Sequence, residues 1–219
     1  MSAVASPSRP AVSEPRSTLH IYRDDGPLAR ALGVLGRAVP LPPIFLIAAA
    51  GLPLCALLLL RRDDVTEEVM ALLIGWAVLA AGLSSGRPHA DRLRWAVPPA
   101  LRLLEYATIV WIGMLAGEES RPAAFALLCA LAFRHYDLVY RLRHQGVAPP
   151  DWVGNLALGW EGRLIGVYLL WIADLLPEGL FVAAALYAIV FVFDAVASWR
   201  RWGRAQQPVL YDDEEDAAE

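Results

Sequence analysis

Two apolar stretches of the chain carry ionisable residues at helical spacing. Glu105 follows Arg102 by three residues in RWAVPPALRLLEYATIVWIGMLAG. Asp137 follows Arg134 by three residues and precedes Arg141 by four in LCALAFRHYDLVYRLRHQG. Opposite charges three or four apart on a helix can pair, and arginine also binds phosphate through two parallel hydrogen bonds. The spacing leaves two interpretations open: ion pairs that hold helices together, or a polar pocket for an anionic headgroup.

Further charged residues lie at the ends of other apolar stretches. A charge at the centre of a bilayer costs about 3 kcal/mol on insertion scales, so such residues usually face protein or water. The chain shows no metal-ligand spacing, and no metal or cofactor is expected. The candidate ligand-binding residues are Arg102, Glu105, Arg134, Asp137, Arg141, Glu161, Arg163 and Asp194.

The elements that must position these residues are apolar segments of membrane-spanning length. The chain has 219 residues, of which 57% are hydrophobic, and a mean hydropathy of +0.43. A membrane helix needs about 20 residues, so the sequence predicts an all-α, polytopic membrane bundle of about six transmembrane helices within residues 42–202. The fifth segment is short and interrupted by Asp174, so it could instead be re-entrant. The predicted spans are 42–60, 69–85, 94–117, 122–142, 163–176 and 179–199.

The segments outside the spans are predicted to be polar. Residues 1–24 are rich in Ser, Pro and Arg, which is typical of a disordered arm, here a cytoplasmic one. Residues 203–219 include YDDEEDAAE and are predicted to be a disordered acidic tail.

Residues 25–39 predict an amphipathic juxtamembrane helix on the inner leaflet. Leu28, Leu32 and Leu35 fall on one helical face, and Arg30 and Arg37 fall on another, near anionic headgroups. The preceding DDGP suits a helix start, with Asp25 as N-cap and Pro27 in the first turn.

The arginines predict the orientation of the bundle. All 19 basic residues are arginine, and the six-span topology places fourteen of them on the side of both termini against three on the other. The positive-inside rule then predicts a multi-pass protein of the inner (plasma) membrane with both termini cytoplasmic. The candidate residues fall mainly near the cytoplasmic end. The chain lacks one broad basic face, so no nucleic-acid partner is expected, and the bilayer and its anionic lipids are the expected partners.

Two resemblances to known families follow from short motifs. DGPLAR, residues 25–30, resembles the D-G-x-x-A-R core of the CDP-alcohol phosphatidyltransferases, six-span enzymes that join a CDP-activated lipid to an alcohol at a cytoplasm-facing site. Their signature continues with two further Asp that complete a metal site. Here ALGVLGRAVPLPP follows, which has no acid, so the metal site is not carried over.

The second resemblance covers most of the chain. RDDGPLAR, LRLLEYATIVW, AFRHYDLVYR, GWEGRLI and FDAVASWRRW resemble an uncharacterised actinobacterial membrane domain. That domain often lies C-terminal to a CDP-alcohol phosphatidyltransferase module, in polypeptides that also carry a nucleotidyltransferase-like part. The resemblance implies a membrane setting and an association with phospholipid or inositol-lipid synthesis, and it implies no catalytic residues.

Three functions therefore compete. The first is an accessory or lipid-binding partner of a CDP-alcohol phosphatidyltransferase, with a cytoplasm-facing polar pocket. The alternative is a divergent membrane phosphotransferase in which Arg102, Arg134 and Arg163 bind phosphates and Glu105 or Asp137 acts as base. A small-solute transporter is less favoured, because the chain lacks inverted repeats and matched broken helices.

Overall fold

The computed structural model describes residues 18–60, 65–87 and 92–205, and every regular element in these ranges is helical. The all-α class is thus confirmed. Two short 3-10 turns, Ser84–Gly86 and Arg94–Ala96, follow α4 and precede α5. The helices are α1 Thr18–Arg23, α2 Pro27–Gly36, α3 Pro43–Leu59, α4 Glu67–Leu83, α5 Val97–Leu115, α6 Ser120–His144, α7 Asp151–Leu156, α8 Gly159–Ile172 and α9 Leu176–Ala205.

Three helices are long and apolar enough to cross a membrane. They are α4 with its 3-10 turn, which together have 20 residues, α6 with 25 and α9 with 30. These helices correspond to the second, fourth and sixth predicted spans, and their presence is consistent with a membrane protein.

The prediction of six spans is not supported. The other three predicted spans fall on α3, α5 and α8, which have 17, 19 and 14 residues. At 1.5 Å per residue α8 is about 21 Å long, which is shorter than a hydrocarbon core of about 30 Å. In α5, Arg102 and Glu105 lower the mean hydropathy of the helix. The apolar residues thus predict where these helices lie. However, α3 and α8 are too short, and α5 carries too much charge, to count as helices that could span a membrane.

The helices form a bundle with two distinct ends. The turn between α5 and α6 and the turn between α8 and α9 border one cavity at the first end. The second end holds α1, α2, α7, the start of α8 and the charged residues Arg102, Glu105, Arg134 and Arg163. We call this second end the polar end. Helix α5 lies at the centre of the bundle, where Leu101, Ile109 and Ile112 are fully buried among residues of its neighbours.

The first residues that the structure describes differ from the predicted disordered arm. Residues 18–23 form α1, and the side chain of Arg23 is fully buried at the polar end. Residues 1–17 of the predicted arm and residues 206–219 of the predicted acidic tail lie outside the described residues. Helix α9 continues to Ala205, so the start of the predicted tail is helical.

Helix α2 packs on its neighbours through small residues. It buries Ala29, Gly33 and Gly36, whereas Leu28 is 42% exposed and Leu35 is 65% exposed. The backbone of α2 approaches the end of α4 and its 3-10 turn so closely that a Cβ on Gly33 would lie 2.6 Å from the nitrogen of Gly86. Only small side chains permit this close contact, which leaves Leu28 and Leu35 on the outer surface of the bundle.

Candidate functional site

A buried carboxylate at the centre of the polar end joins two helices. Glu105 of α5 has no exposed surface. Its Oε2 accepts a hydrogen bond of 2.7 Å from Arg102, and its Oε1 accepts one of 2.5 Å from Arg163 of α8. The Arg102–Glu105 pair predicted from helical spacing is thus present, and it extends to a second helix.

Asp24 supplies the second carboxylate of the site. It lies in the turn before α2, in the left-handed region with a φ of 53°. Its Oδ1 accepts a hydrogen bond of 3.2 Å from Arg134, and its Oδ2 lies 3.0 Å from Nη1 of Arg163. Burial alone would raise the pKa of Asp24, but the charges of Arg163 and Arg134 hold that pKa well below its usual range. The two arginines therefore favour the ionised form of Asp24 in the folded protein.

We call Asp24, Arg102, Glu105, Arg134 and Arg163 the central cluster. The interpretation of helical spacing was wrong for one of its members, since Arg134 pairs with Asp24 and not with Asp137. In the sequence, Asp24 falls in the predicted disordered arm. No local pattern could have found it, because its partner Arg134 is 110 residues away.

The backbone next to Asp24 is also tied to the bundle. Nη2 of Arg102 donates hydrogen bonds to the carbonyl oxygens of Tyr22 and Arg23, at 3.1 and 2.6 Å. The backbone N–H of Trp160 donates to the carbonyl oxygen of Asp24 at 3.2 Å. The side chain of Arg23 donates a hydrogen bond of 2.6 Å to Asp25, and the formal charges of these two residues cancel. The central cluster thus fixes the segment that leads into α2.

Glu161 of α8 caps α2. Its Oε2 accepts a hydrogen bond of 3.1 Å from the N–H of Gly26, and its Oε1 accepts one of 3.0 Å from the N–H of Ala29. A carboxylate at this position satisfies N–H groups that a helix start leaves free and opposes the positive end of the helix dipole. The N-cap residue is Gly26 and not Asp25 as predicted, whereas Pro27 occupies the first turn as predicted.

A separate group of charges joins α6 to α9. Arg141 donates to Asp194 at 2.8 Å and to Asp137 at 2.5 Å. The indole N–H of Trp199 donates to the other oxygen of Asp137 at 3.1 Å. The spacing-based prediction of an Asp137–Arg141 pair is thus met, and Asp194 joins that pair from the neighbouring helix.

The hydrogen bond from Trp199 should contribute measurably to stability. We expect Trp199→Phe to lower the free energy of unfolding by about 1.5–3 kcal/mol more than Trp202→Phe, because a hydrogen bond to a charged group is worth that much. Trp202 is a matched control, since its ring meets that of Trp199 edge-on at 5.5 Å and, among the described residues, its indole has no hydrogen-bond partner. Unfolding of both variants in detergent measures the difference. Equal losses would contradict a role for the hydrogen bond.

An open cavity of about 410 Å³ lies beside the central cluster, between α2, α6 and the residues around α7. Arg30 of α2 and Arg37, which follows α2, line one side, and Arg134 lines it from α6. Asp24, Asp25 and Asp151 also border it. Within the described ranges no carboxylate pairs with Arg30 or Arg37, and Nε of Arg30 donates to a backbone carbonyl. The cavity could therefore receive an anion.

The eight predicted residues divide into three groups around this cavity. Arg134 alone among them lines it. Arg102 borders a second, largely apolar cavity of about 390 Å³ beside Tyr22 and Trp95. The others form the ion pairs and the helix cap described above. Within the part of the chain that the structure describes, no three His, Cys, Asp or Glu side chains come together as a metal site.

The profile of DUF5941, a family of unknown function, matches residues 15–218. The chain belongs to the DUF5941 family. No curated protein and no solved structure matches it. The matched range of this DUF5941 chain contains the whole central cluster and all residues that line the cavity. The family match agrees with the resemblance to an uncharacterised domain.

Proposed function

We propose that this DUF5941 protein is an integral membrane protein that binds anionic phospholipid at its polar end. In this proposal the polar end faces the cytoplasm, as the arginine distribution predicts. The protein would act as an accessory or lipid-binding partner of a CDP-alcohol phosphatidyltransferase in phospholipid or inositol-lipid synthesis. The observation that carries the proposal is the cavity lined by Arg30, Arg37 and Arg134.

The surface around the cavity suits the boundary of a bilayer. On α2, Leu28, Val34 and Leu35 are exposed beside the exposed arginines that line the cavity. Exposed apolar and cationic side chains on one short helix favour the headgroup region of anionic lipids. Three span-capable helices would hold α2 at that level.

The geometry gives less support to a phosphotransferase that uses Glu105 or Asp137 as its base. A general base must reach the proton that it removes, directly or through one water. Glu105 is fully buried, and each of its oxygens accepts a hydrogen bond from an arginine. Both oxygens of Asp137 are also engaged, by Arg141 and Trp199. These carboxylates support the structure of the polar end.

The lipids that co-purify with the full chain test the lipid-binding role. We expect the double variant Arg30→Gln/Arg37→Gln to bind anionic phospholipid about thirtyfold less tightly, because each arginine near an anionic surface contributes about 1 kcal/mol and 1.4 kcal/mol is tenfold. Native mass spectrometry of protein in mixed nanodiscs measures the retained lipid. Arg143→Gln/Arg201→Gln is the control, since it removes two exposed arginines from α6 and α9. An equal loss in both double variants would contradict binding at the cavity.

The accessory role needs a separate test. Cells that lack the protein should contain less of at least one phospholipid class, and the wild-type gene should restore it. Unchanged lipid composition would contradict the accessory role and leave lipid binding at the cavity standing.

A further inference from the structure

We propose that the cavity binds a terminal phosphate group, a phosphomonoester, and that Arg134 is its innermost ligand. This inference rests on the proposed binding of anionic lipid at the same cavity. It adds the chemical class of the ligand and the residue that selects it.

The first argument is the charge of the central cluster. Three arginines face two carboxylates, so the cluster carries one surplus positive charge. No side chain in it is more than 13% exposed. A buried charge without a counter-ion is strongly unfavourable. Nearby Arg23 and Asp25 neutralise each other, and the other buried acid at this end, Glu161, is held by two N–H groups at the positive end of the α2 dipole. The surplus therefore favours an additional anion next to the cluster.

The second argument is the unused hydrogen-bonding capacity of Arg134. Its Nη2 donates to Asp24, and its guanidinium lies 4.8 Å from the centre of the Phe191 ring. Its Nε is buried and has no acceptor among the described residues, although buried N–H groups nearly always have one. Arg134 is also the only arginine of the cluster that lines the cavity. Its side chain is thus placed to donate a hydrogen bond to a ligand oxygen.

The third argument is the number of guanidinium groups at the cavity. Arg30, Arg37 and Arg134 line it, whereas Asp24 and Asp25 are already paired with arginines of the polar end. A phosphomonoester presents three terminal oxygens, one for each guanidinium group, whereas a phosphodiester presents two. The guanidinium groups also match the geometry of phosphate oxygens.

The size of the cavity is consistent with such a ligand. A volume of about 410 Å³ lies in the range of small-molecule sites and accommodates a phosphate with its attached group. The phosphomonoester could belong to a lipid, as in phosphatidic acid, or to a soluble compound. Both sources present the same dianion to Arg134.

Binding of two lipids to the full chain in nanodiscs tests the inference. The probes are phosphatidic acid and phosphatidylglycerol, mixed into phosphatidylcholine at equal total charge. We expect the wild type to bind phosphatidic acid at least about tenfold more tightly, and Arg134→Gln to lower the ratio of the two affinities to about one. Glycerol 3-phosphate is the soluble probe. Its competition with phosphatidic acid would show that the phosphate alone suffices, and a preference without competition would assign the site to the lipid.

Two further variants keep the test valid if Arg134→Gln folds poorly. Asp24→Asn/Arg134→Gln removes both charges of the pair, and Arg134→Lys keeps the charge but loses the planar fork; both should lose the preference. Arg143→Gln, which removes an exposed arginine near the end of α6, should retain it. Equal binding of the two lipids by the wild type, or an unchanged preference in the Arg134 variants, would overturn the inference. In that case, loss of both lipids by Arg30→Gln/Arg37→Gln would still support the proposed lipid-binding function. A wild-type protein that binds neither lipid would refute the proposed function and the inference together.

Discussion

Glu105→Gln is expected to lower the free energy of unfolding of the bundle by about 3–5 kcal/mol, the typical effect of removing one partner from a buried ion pair. The substitution keeps the shape of the side chain but removes the negative charge between Arg102 and Arg163. The surplus positive charge of the central cluster would then rise from one to two. Since Glu105 is fully buried, water cannot compensate for the lost charge.

Thermal and denaturant unfolding of the purified full chain in detergent measures this effect. Glu118→Gln is the matched control, because Glu118 also pairs with an arginine at three-residue spacing but is exposed. We expect that control to change stability by no more than about 1 kcal/mol. Adding Arg163→Gln to Glu105→Gln should cost less than the sum of the single variants, because it removes a charge that the first substitution strands. A Glu105→Gln protein as stable as the control would show that the ion pairs do not hold the bundle.

Gly36→Ala is expected to detach α2 from the bundle. A Cβ at Gly36 would overlap the carbonyl group of Leu83 in α4, and a Cβ at Gly86 would overlap the carbonyl group of Gly33. Both obstacles are backbone atoms, which cannot rotate away as a side chain can. We expect a loss of about 1–3 kcal/mol or more for Gly36→Ala, the range for overpacked sites.

Detachment of α2 should also abolish the retention of anionic lipid, because Arg30 and Arg37 would no longer face Arg134 across the cavity. Both stability and lipid retention can be measured on the same preparation. Gly75→Ala in α4 is the control, since no atom of a neighbouring element lies within 4 Å of its added Cβ. That variant should be neutral or more stable by up to about 1 kcal/mol, because alanine is the better helix former. Similar behaviour of the two variants would contradict close backbone packing of α2.

Helical periodicity predicted the parts of this structure that depend on neighbours in sequence. The pairs Arg102–Glu105 and Asp137–Arg141 are such contacts, and both are present. The positions of the helices also follow from their apolar residues. The lengths of the helices could not be predicted in the same way. A short helix such as α8 packs inside the bundle and does not have to span a membrane by itself.

The contacts between distant segments could not be predicted from sequence alone. Arg134 has an acid three residues away on its own helix, yet it binds Asp24 from the turn before α2. The face through which α2 packs was likewise not evident from the sequence, because close backbone contact at Gly33 and Gly36 decides which face is buried. In both cases a tertiary contact outweighs a local preference. Such a contact joins residues far apart in the chain, and a single sequence does not show which residues these are.

The position of Asp24 has a consequence for the order in which the protein assembles. The chain is synthesised from its N-terminus, so α1 and the turn at Asp24 emerge long before their partners. Arg134 follows Asp24 by 110 residues, and the glutamate that caps α2 follows Gly26 by 135. Helix α1 and the start of α2 must therefore wait for α6 and α8 before they acquire their final contacts. Docking of this early segment is a late event in biogenesis, and it completes only after most of the bundle has been made.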